Sequence, residues 1–259
     1  MSFSEAALTR DAFLGGRLFL AQPRKGYRAG TDAVLLAAFV PARRGERVLE
    51  LGCGAGAAVL CLLARVPGVT AHGLELQPDY ADLARRNAAA NALPLEVVAG
   101  DLAAMPGPLR AMTFDHVMAN PPFHGGGSPS PDPGRTTAHR EATPLTVWID
   151  AALRRLRPAG TLTMIHRVGR LGSILASLEG RAGATEVLPL AGREGFPAGR
   201  VLVRARKSVK APLVLYPPFT LHAGRAHDGD RDSYTDLASS VLRDMRPLLP
   251  DTRLSGIEG

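Results

Sequence analysis

Short apolar strands alternating with amphipathic helices predict an α/β fold, an open, doubly wound and mostly parallel sheet. Two further observations support it. A glycine-rich turn, Gly52-Cys53-Gly54-Ala55-Gly56, directly follows an apolar strand. Three acidic residues, Glu50, Glu75 and Asp101, fall where successive strands run out. In open α/β sheets ligands bind at the carboxyl ends of the strands, so these polar groups gather where a ligand is expected.

Arg47 to Leu51 is a short apolar strand, and a helix follows the glycine turn through Arg65. Val69 to Leu76 is the second strand. Pro78 then opens a helix at the position proline favours, and the helix fades near Asn91. Leu95 to Leu102 and Phe114 to Ala119 are the third and fourth strands. Leu145 to Leu156 has helical spacing, broken by Pro158-Ala159-Gly160, and Thr161 to Arg167 is the fifth strand. An amphipathic helix spans Leu171 to Leu178. Thr185 to Leu190 and Val201 to Arg206 have no helix between them, which predicts an antiparallel hairpin closing the sheet edge. Pro212 to Leu221 reads as extended and Tyr234 to Met245 as a helix. Residues 1–45 form a preface with a strand-like Arg17 to Leu20 and a helix-like Asp32 to Phe39.

Composition narrows the class. The chain has 259 residues, 46% of them hydrophobic, enough for a sizeable core. No apolar run approaches the roughly 20 residues of a membrane span. The start, Met1-Ser2-Phe3-Ser4-Glu5, lacks the basic and apolar stretches of a secretory signal. Cys53 and Cys61 form neither a disulfide framework nor a zinc pattern. The expectation is a cytoplasmic protein with no metal and no membrane partner. The net charge is +7, with 31 Lys plus Arg against 24 Asp plus Glu. Such a surface attracts polyanions, nucleic acid above all, although an arginine-rich proteome produces the same bias. The basic residues cluster twice. Lys25 and Arg28 flank Tyr27, a candidate stacking ring; Arg200, Arg204, Arg206, Lys207 and Lys210 follow one another without an acid. The second cluster reads equally well as a protected strand edge.

The glycine turn is ambiguous by itself, because Gly52, Gly54 and Ala57 also satisfy the dinucleotide fingerprint. Glu75 stands where either class of adenosyl cofactor meets a carboxylate at its ribose. Glu50 would repel a pyrophosphate but suits an ammonium or sulfonium group. Gly100-Asp101-Leu102 offers a further carboxylate to an adenine amine, and no basic residue lies in the turn to balance phosphates. These details favour S-adenosylmethionine over a nicotinamide cofactor.

Asn120-Pro121-Pro122-Phe123 ends the fourth strand. The prolines carry no N–H and push the preceding residue toward extended geometry. The Asn120 and Pro121 carbonyls are therefore free to face a cleft, beside the Phe123 ring. Acceptors next to a flat ring suit a planar substrate with an NH2 group. The Gly/Ser/Pro-rich run that follows His124 reads as a loop, either a lid or a slack connection. His116, inside the fourth strand, reads as a core residue.

Together these motifs resemble the class I methyltransferases that modify exocyclic or amide nitrogens. The preface, Gln22 to Ala37 with Gly30-Thr31-Asp32, is similar to the segment before the core in the bacterial tRNA1(Val) adenine-N6 methyltransferase family. The resemblance covers roughly Phe13 to Met245. It implies a Rossmann-like fold with a seven-stranded sheet, S-adenosylmethionine as cofactor, and tRNA as partner. It implies cofactor contacts at Thr31, Glu50, Gly52, Gly54, Glu75, Asp101, Leu102 and Asn120, with Asn120, Pro121, Pro122 and Phe123 holding the target. Lys25, Tyr27, Arg28, Arg204, Arg206 and Lys207 are the candidate RNA contacts. On this reading residues 1–45 are an extension packing near the active site, 46–222 the methyltransferase domain, and 223–259 a C-terminal helix and tail. Asn-Pro-Pro-Phe-His, with His124, is also typical of guanine-N2 rRNA methyltransferases. A glutamine amide on a protein factor and a nicotinamide-dependent oxidoreductase are the remaining alternatives.

Overall fold

The computed structural model describes residues 2–122, 143–224 and 233–249. The preface contains two strands, β1 (Leu8–Phe13) and β2 (Leu18–Pro23), paired antiparallel as a separate ribbon. Helix α1 (Thr31–Phe39) follows. The core then alternates β3 (Arg47–Leu51), α2 (Ala57–Arg65), β4 (Thr70–Glu75), α3 (Pro78–Ala90), β5 (Leu95–Ala99), α4 (Gly107–Arg110) and β6 (Phe114–Ala119). Helix α5 (Leu145–Arg155) leads into β7 (Leu156–Arg167), then α6 (Leu171–Leu178), β8 (Ala182–Arg193) and β9 (Arg200–Lys207). Two short strands, β10 (Val214–Leu215) and β11 (Phe219–His222), and helix α7 (Asp236–Arg243) complete the described elements.

The main sheet has nine strands, where seven were expected. Its order is β10-β8-β9-β7-β6-β3-β4-β5, with β11 also on β8. Strands β3 to β7 are mutually parallel, and only β9 runs against its neighbours β7 and β8. The expected hairpin therefore exists but does not close the sheet. Its outer strand β8 takes on β10 at Glu186 and Val187 and β11 at Leu190 to Arg193, both parallel. The Pro158-Ala159-Gly160 break lies inside β7, not before it. There the register with β6 shifts and Ala159 adopts φ +60°, a bulge that spares the ladder the proline's missing N–H.

Helices cover both faces of the sheet, which is why its central strands read as unbroken apolar runs. Residues Ala33 to Phe39 of α1 are all buried, since the helix lies between the sheet, α2 and α7. The other face is filled by Trp148, Ile149, Leu153, Ile174 and Leu178 from α5 and α6. Among the described residues no helix is long and apolar enough to cross a membrane.

The ribbon was only half anticipated, because β1 (Leu-Thr-Arg-Asp-Ala-Phe) has no alternating apolar pattern and buries Leu8 alone among its six. Helix α3 docks it. The Asn87 amide accepts from Ala21 N at 2.8 Å and donates to Ala21 O at 3.0 Å. One turn on, Asn91 does the same at Phe19, at 3.1 and 2.8 Å. Two amides four residues apart thus imitate a neighbouring strand for alternate residues of β2.

Candidate active site

The glycine turn is pinned to the neighbouring strand, because Gly52 N and Cys53 N both donate to Leu74 O at 2.7 and 3.0 Å. Gly52, Gly54 and Gly56 hold φ of +66°, +55° and +86°, a region that suits glycine. The first two differ in what they face. A Cβ on Gly52 would fall 2.6 Å from the Trp148 ring, so close packing against α5 already requires glycine there. A Cβ on Gly54 would meet only the Tyr27 ring, at 3.7 Å. Cys53 is the small residue the turn admits, its Sγ seated against Gly73.

Two carboxylates end adjacent strands with different environments. Glu50 is 2% exposed and accepts from Val59 N at 3.0 Å. Burial holds its carboxyl well above the usual range, partly offset by the Val59 bond and reinforced by Glu75. Glu75 accepts from Gly54 N at 2.8 Å and Gln77 N at 2.9 Å. Burial raises it too, with these backbone bonds pulling the other way.

The preface forms the facing wall. Gln22 closes the loop after β2 by accepting from Ala29 N at 2.8 Å and donating to Asp11 at 2.7 Å. The Tyr80 hydroxyl on α3 accepts from Tyr27 N at 3.0 Å and donates to Tyr27 O at 3.1 Å. The outer side of the Tyr27 ring meets solvent, while its hydroxyl turns inward and accepts from Asn120 Nδ2 at 3.5 Å. Burial and the nearby Glu50 push that hydroxyl up to about 12. Gln22, Tyr27, Ala29, Ala33, Glu50, Gly52 and Asn120 all line one cleft.

The other expected site residues are placed as follows. Thr31 opens α1 between Ala29 and Ala33. Strand β5 stops at Ala99, and Gly100 N donates to Glu75 O at 2.8 Å, bringing the exposed Asp101 alongside Glu75. Asp101 accepts from Ala103 N at 2.8 Å. Leu102 packs toward the core. Pro121 is buried and Pro122 exposed. Phe123, His124 and the loop that follows lie outside the described residues. His116 is buried with Nε2 2.8 Å from Glu46, the core role expected of it.

Most of the candidate RNA contacts also have partners inside the fold. Tyr27 lines the cleft and is exposed. Arg28 is committed to Asp11, Thr9 and Pro23 O, the first at 2.6 Å. Arg204 pairs with Glu186 at 3.0 Å, donates to Phe39 O and lies over the Phe39 ring. Arg206 and Lys207 donate to Ala159 O and Leu156 O. Because β9 is antiparallel, they sit at the end of the sheet opposite Asn120. Lys25 is exposed beside the cleft. Sequence reasoning missed Tyr80, Asn87 and Trp148. The Asn87/Asn91 spacing was the available signal, and it has no meaning until β2 is known to pass beside it.

Sheet order, glycine turn and strand-end carboxylates define the class I methyltransferase fold. A predicted O-methyltransferase of Agrobacterium tumefaciens has it, at 28% identity and TM-score 0.65, over 81% of this chain and 94% of that one. A 16S rRNA N2 methyltransferase of Thermus thermophilus, solved with AdoMet and guanosine, shares the fold at 24% identity and TM-score 0.56, over 77% of this chain and 50% of that one. The methyltransferase small domain profile matches residues 27–179, and this chain belongs to that family.

More particular relatives exist. A Porphyromonas gingivalis protein named tRNA1(Val) (adenine(37)-N6)-methyltransferase is 35% identical over 170 residues, 62% of this chain and 67% of the relative. A Klebsiella pneumoniae protein of the same name is 34% identical over 155 residues, 59% of this chain and 61% of the relative. The match thus spans about three fifths to two thirds of these relatives' length.

Proposed function

We propose that this chain transfers a methyl group from S-adenosylmethionine to the exocyclic N6 amine of an adenine in tRNA. The observation that carries the reading is the shared cleft. Asn120, an amide at the end of β6, faces the same space as Glu50 and the glycine turn. An acceptor group and a carboxylate suited to a cationic donor therefore stand within one site. The names of the relatives supply the choice of tRNA and adenine.

The donor set fits such a cofactor. A carboxylate offers about four lone-pair sites. Three backbone N–H groups, of Gly54, Leu76 and Gln77, already act on Glu75, leaving room for one ribose hydroxyl without rearrangement. Asp101 is next along the same strand ends and can receive an adenine amine. Glu50, the more deeply buried of the two strand-end glutamates, can meet a sulfonium or ammonium group with little water between. Beneath the Tyr27 ring the free space is only about 20 Å³, room for a single water. Ligand entry therefore requires the lining to part, and the exposed Tyr27 ring is a group with room to move.

S-adenosylmethionine, when bound, supplies an electrophilic methyl group on sulfur. The chain's residues do the positioning. The amine's lone pair is delocalised into the adenine ring and attacks poorly. The Asn120 oxygen and the Pro121 carbonyl accept hydrogen bonds from its two N–H groups, drawing nitrogen toward tetrahedral geometry with its lone pair aimed along the transfer line. As the N–CH3 bond forms the S–CH3 bond breaks, and the methylated nitrogen then loses one proton to water. Fixed acceptors of this kind act through orientation and electrostatics. A paired base cannot reach the cleft, so the target nucleotide must be flipped or looped out.

The test is tritiated methyl transfer into tRNA, rRNA and protein fractions from a strain lacking the gene. Label in tRNA adenine is expected. Label confined to rRNA or protein overturns the acceptor. Thermal stabilisation by S-adenosylhomocysteine but not by NADH is the matching result for the cofactor.

A further inference from the structure

We propose that the turn after β7 and the β8–β9 turn form one docking rim for the single-stranded RNA flanking the methylated base, with Arg167, Arg170 and Phe196 as its contacts. The inference rests on the RNA acceptor reading and assigns the surface that serves it.

Strand register places this rim. Ala119, next to Asn120, pairs with Met164 of β7. Arg167 lies three residues further along the same direction. With a rise of about 3.3 Å per residue and strands about 4.8 Å apart, its Cα is on the order of 11 Å from that of Ala119. The reversal of β9 then sets Arg200 opposite Arg167, and β8 sets Leu190 opposite Arg200. Residues 194–199 between those strands are therefore at the carboxyl end of the sheet, with Asn120. Val168 N donates to Gly199 O at 3.2 Å, which joins the two turns into one surface.

The chemistry on this rim suits nucleic acid. Arg167 and Arg170 are exposed, and Phe196 shows 55% of its surface to solvent from a turn closed by Phe196 N donating to Arg193 O. Cations for phosphates beside a ring for a base are the paired elements of single-strand binding. The two guanidinium groups, after burial, help depress the pKa of His166 beneath them, so their charge converges on this end of β7. Two acids stand nearby. Asp32 is held by Arg200, and Glu194 is an exposed acid on the β8–β9 turn itself. Arg193 serves the fold, donating to Ala223 O at 2.7 Å. Arg206 and Lys207 lie toward the opposite end of the sheet, where Lys207 donates to Leu156 O at 2.7 Å. A target base held at Asn120 can engage only the near end.

The experiment compares Arg167→Glu/Arg170→Glu and Phe196→Ala with a far-end control, Arg206→Glu/Lys210→Glu. Methyl transfer to tRNA, tRNA binding against salt, and thermal stabilisation by S-adenosylhomocysteine are measured on each. The double rim variant should raise the KM for tRNA at least about tenfold and lower the log–log salt slope by roughly two. Phe196→Ala should weaken binding roughly tenfold with little change of slope. The control should match wild type, and all should keep the S-adenosylhomocysteine shift, which shows that they fold. Wild-type KM and slope in the rim variants, or an equal loss in the control, overturns the rim. Wild-type protein that puts no methyl into tRNA refutes the underlying RNA reading instead, a result no rim variant can mimic.

Discussion

The two walls of the cleft are built differently. On the sheet side, Glu50 is fixed by register with Gly73 of β4 and Met118 of β6, and Asn120 follows directly from β6. Backbone ladders hold these groups, and moving one means disrupting the sheet. On the other side, Gln22, Tyr27 and Ala29 hang from a two-stranded ribbon that is not part of the main sheet. A lone hairpin is marginal in water. This one sinks Leu18 and Leu20 of β2 into the main core, and Asn87, Asn91 and Tyr80 pin its main chain, with Arg86 donating to Phe3 O at 2.9 Å. The difference teaches that the chemistry sits on the rigid wall, while access to it is set by a wall that single substitutions can loosen.

The largest effect should come from the rigid wall. Asn120→Ala removes an acceptor aimed at the reacting amine, a loss comparable with deleting one oxyanion-hole donor, about 10²- to 10³-fold in turnover. S-adenosylhomocysteine binding should stay within a few-fold of wild type, measured by calorimetry. Substantial remaining turnover would remove Asn120 from the mechanism.

Glu50→Gln should come next, weakening donor binding about tenfold or more, because a buried cation then loses its counter-charge. The same variant carries a pH signature. The folded-state pKa of Glu50 lies above its unfolded value of about 4.5. Between those two values the folded protein holds one proton more than the unfolded chain. Stability from this group therefore falls as pH rises through that window and levels off above it. Glu50→Gln should flatten that fall in melting temperature. Donor affinity in wild type should rise across the same window as the carboxyl ionises. Parallel pH profiles for wild type and variant would contradict the assignment.

The ribbon should yield to Asn87→Ala. The change strips partners from Ala21 N, Ala21 O and Ala55 O, the last at 2.9 Å. At about 1 kcal/mol per bond, with the bond to Ala55 fully buried, the cost is about 3 kcal/mol. That corresponds to a melting temperature lower by roughly 6–12 °C. Amide exchange should accelerate in β1 and β2 but not in β3 or β6. Uniform acceleration would mean that the ribbon and the sheet unfold as one unit, and the comparison would fail.

Legibility from sequence follows the same division. Strands β3 and β6 and helix α6 begin and end where their apolar patterning predicts. Glu50 lies on β3 and Asn120 follows β6, so this part of the sheet wall could be read directly. The ribbon could not, because β1 buries Leu8 alone and its docking depends on amides 66 and 72 positions away. The cation-rich strand was legible only as composition. That Arg204, Arg206 and Lys207 are close together is plain in the sequence, but the antiparallel register of β9 is needed to place Arg204 in mid-sheet and Arg206 and Lys207 toward the end away from Asn120. The short β10 and β11 carry too few residues for periodicity to register, which is why nine strands were read as seven.

Tyr80→Phe is the smallest and sharpest test of the loose wall. It deletes one oxygen, and with it both bonds that hold the Tyr27 main chain. Tyr27 is 56% exposed, so water can replace those bonds and the stability cost should stay near 1 kcal/mol, about 2–4 °C. The ring would then swing freely, opening the space beneath it while losing its contact with Asn120. Donor association, followed by stopped-flow, should become faster, and turnover at saturating donor should fall a few-fold because the Asn120 amide is less well oriented. A turnover loss with unchanged donor association would confine Tyr27 to orienting Asn120. A melting drop as large as that of Asn87→Ala would show that the two pins are one structural unit, and the wall would be less detachable than its hydrogen bonds imply.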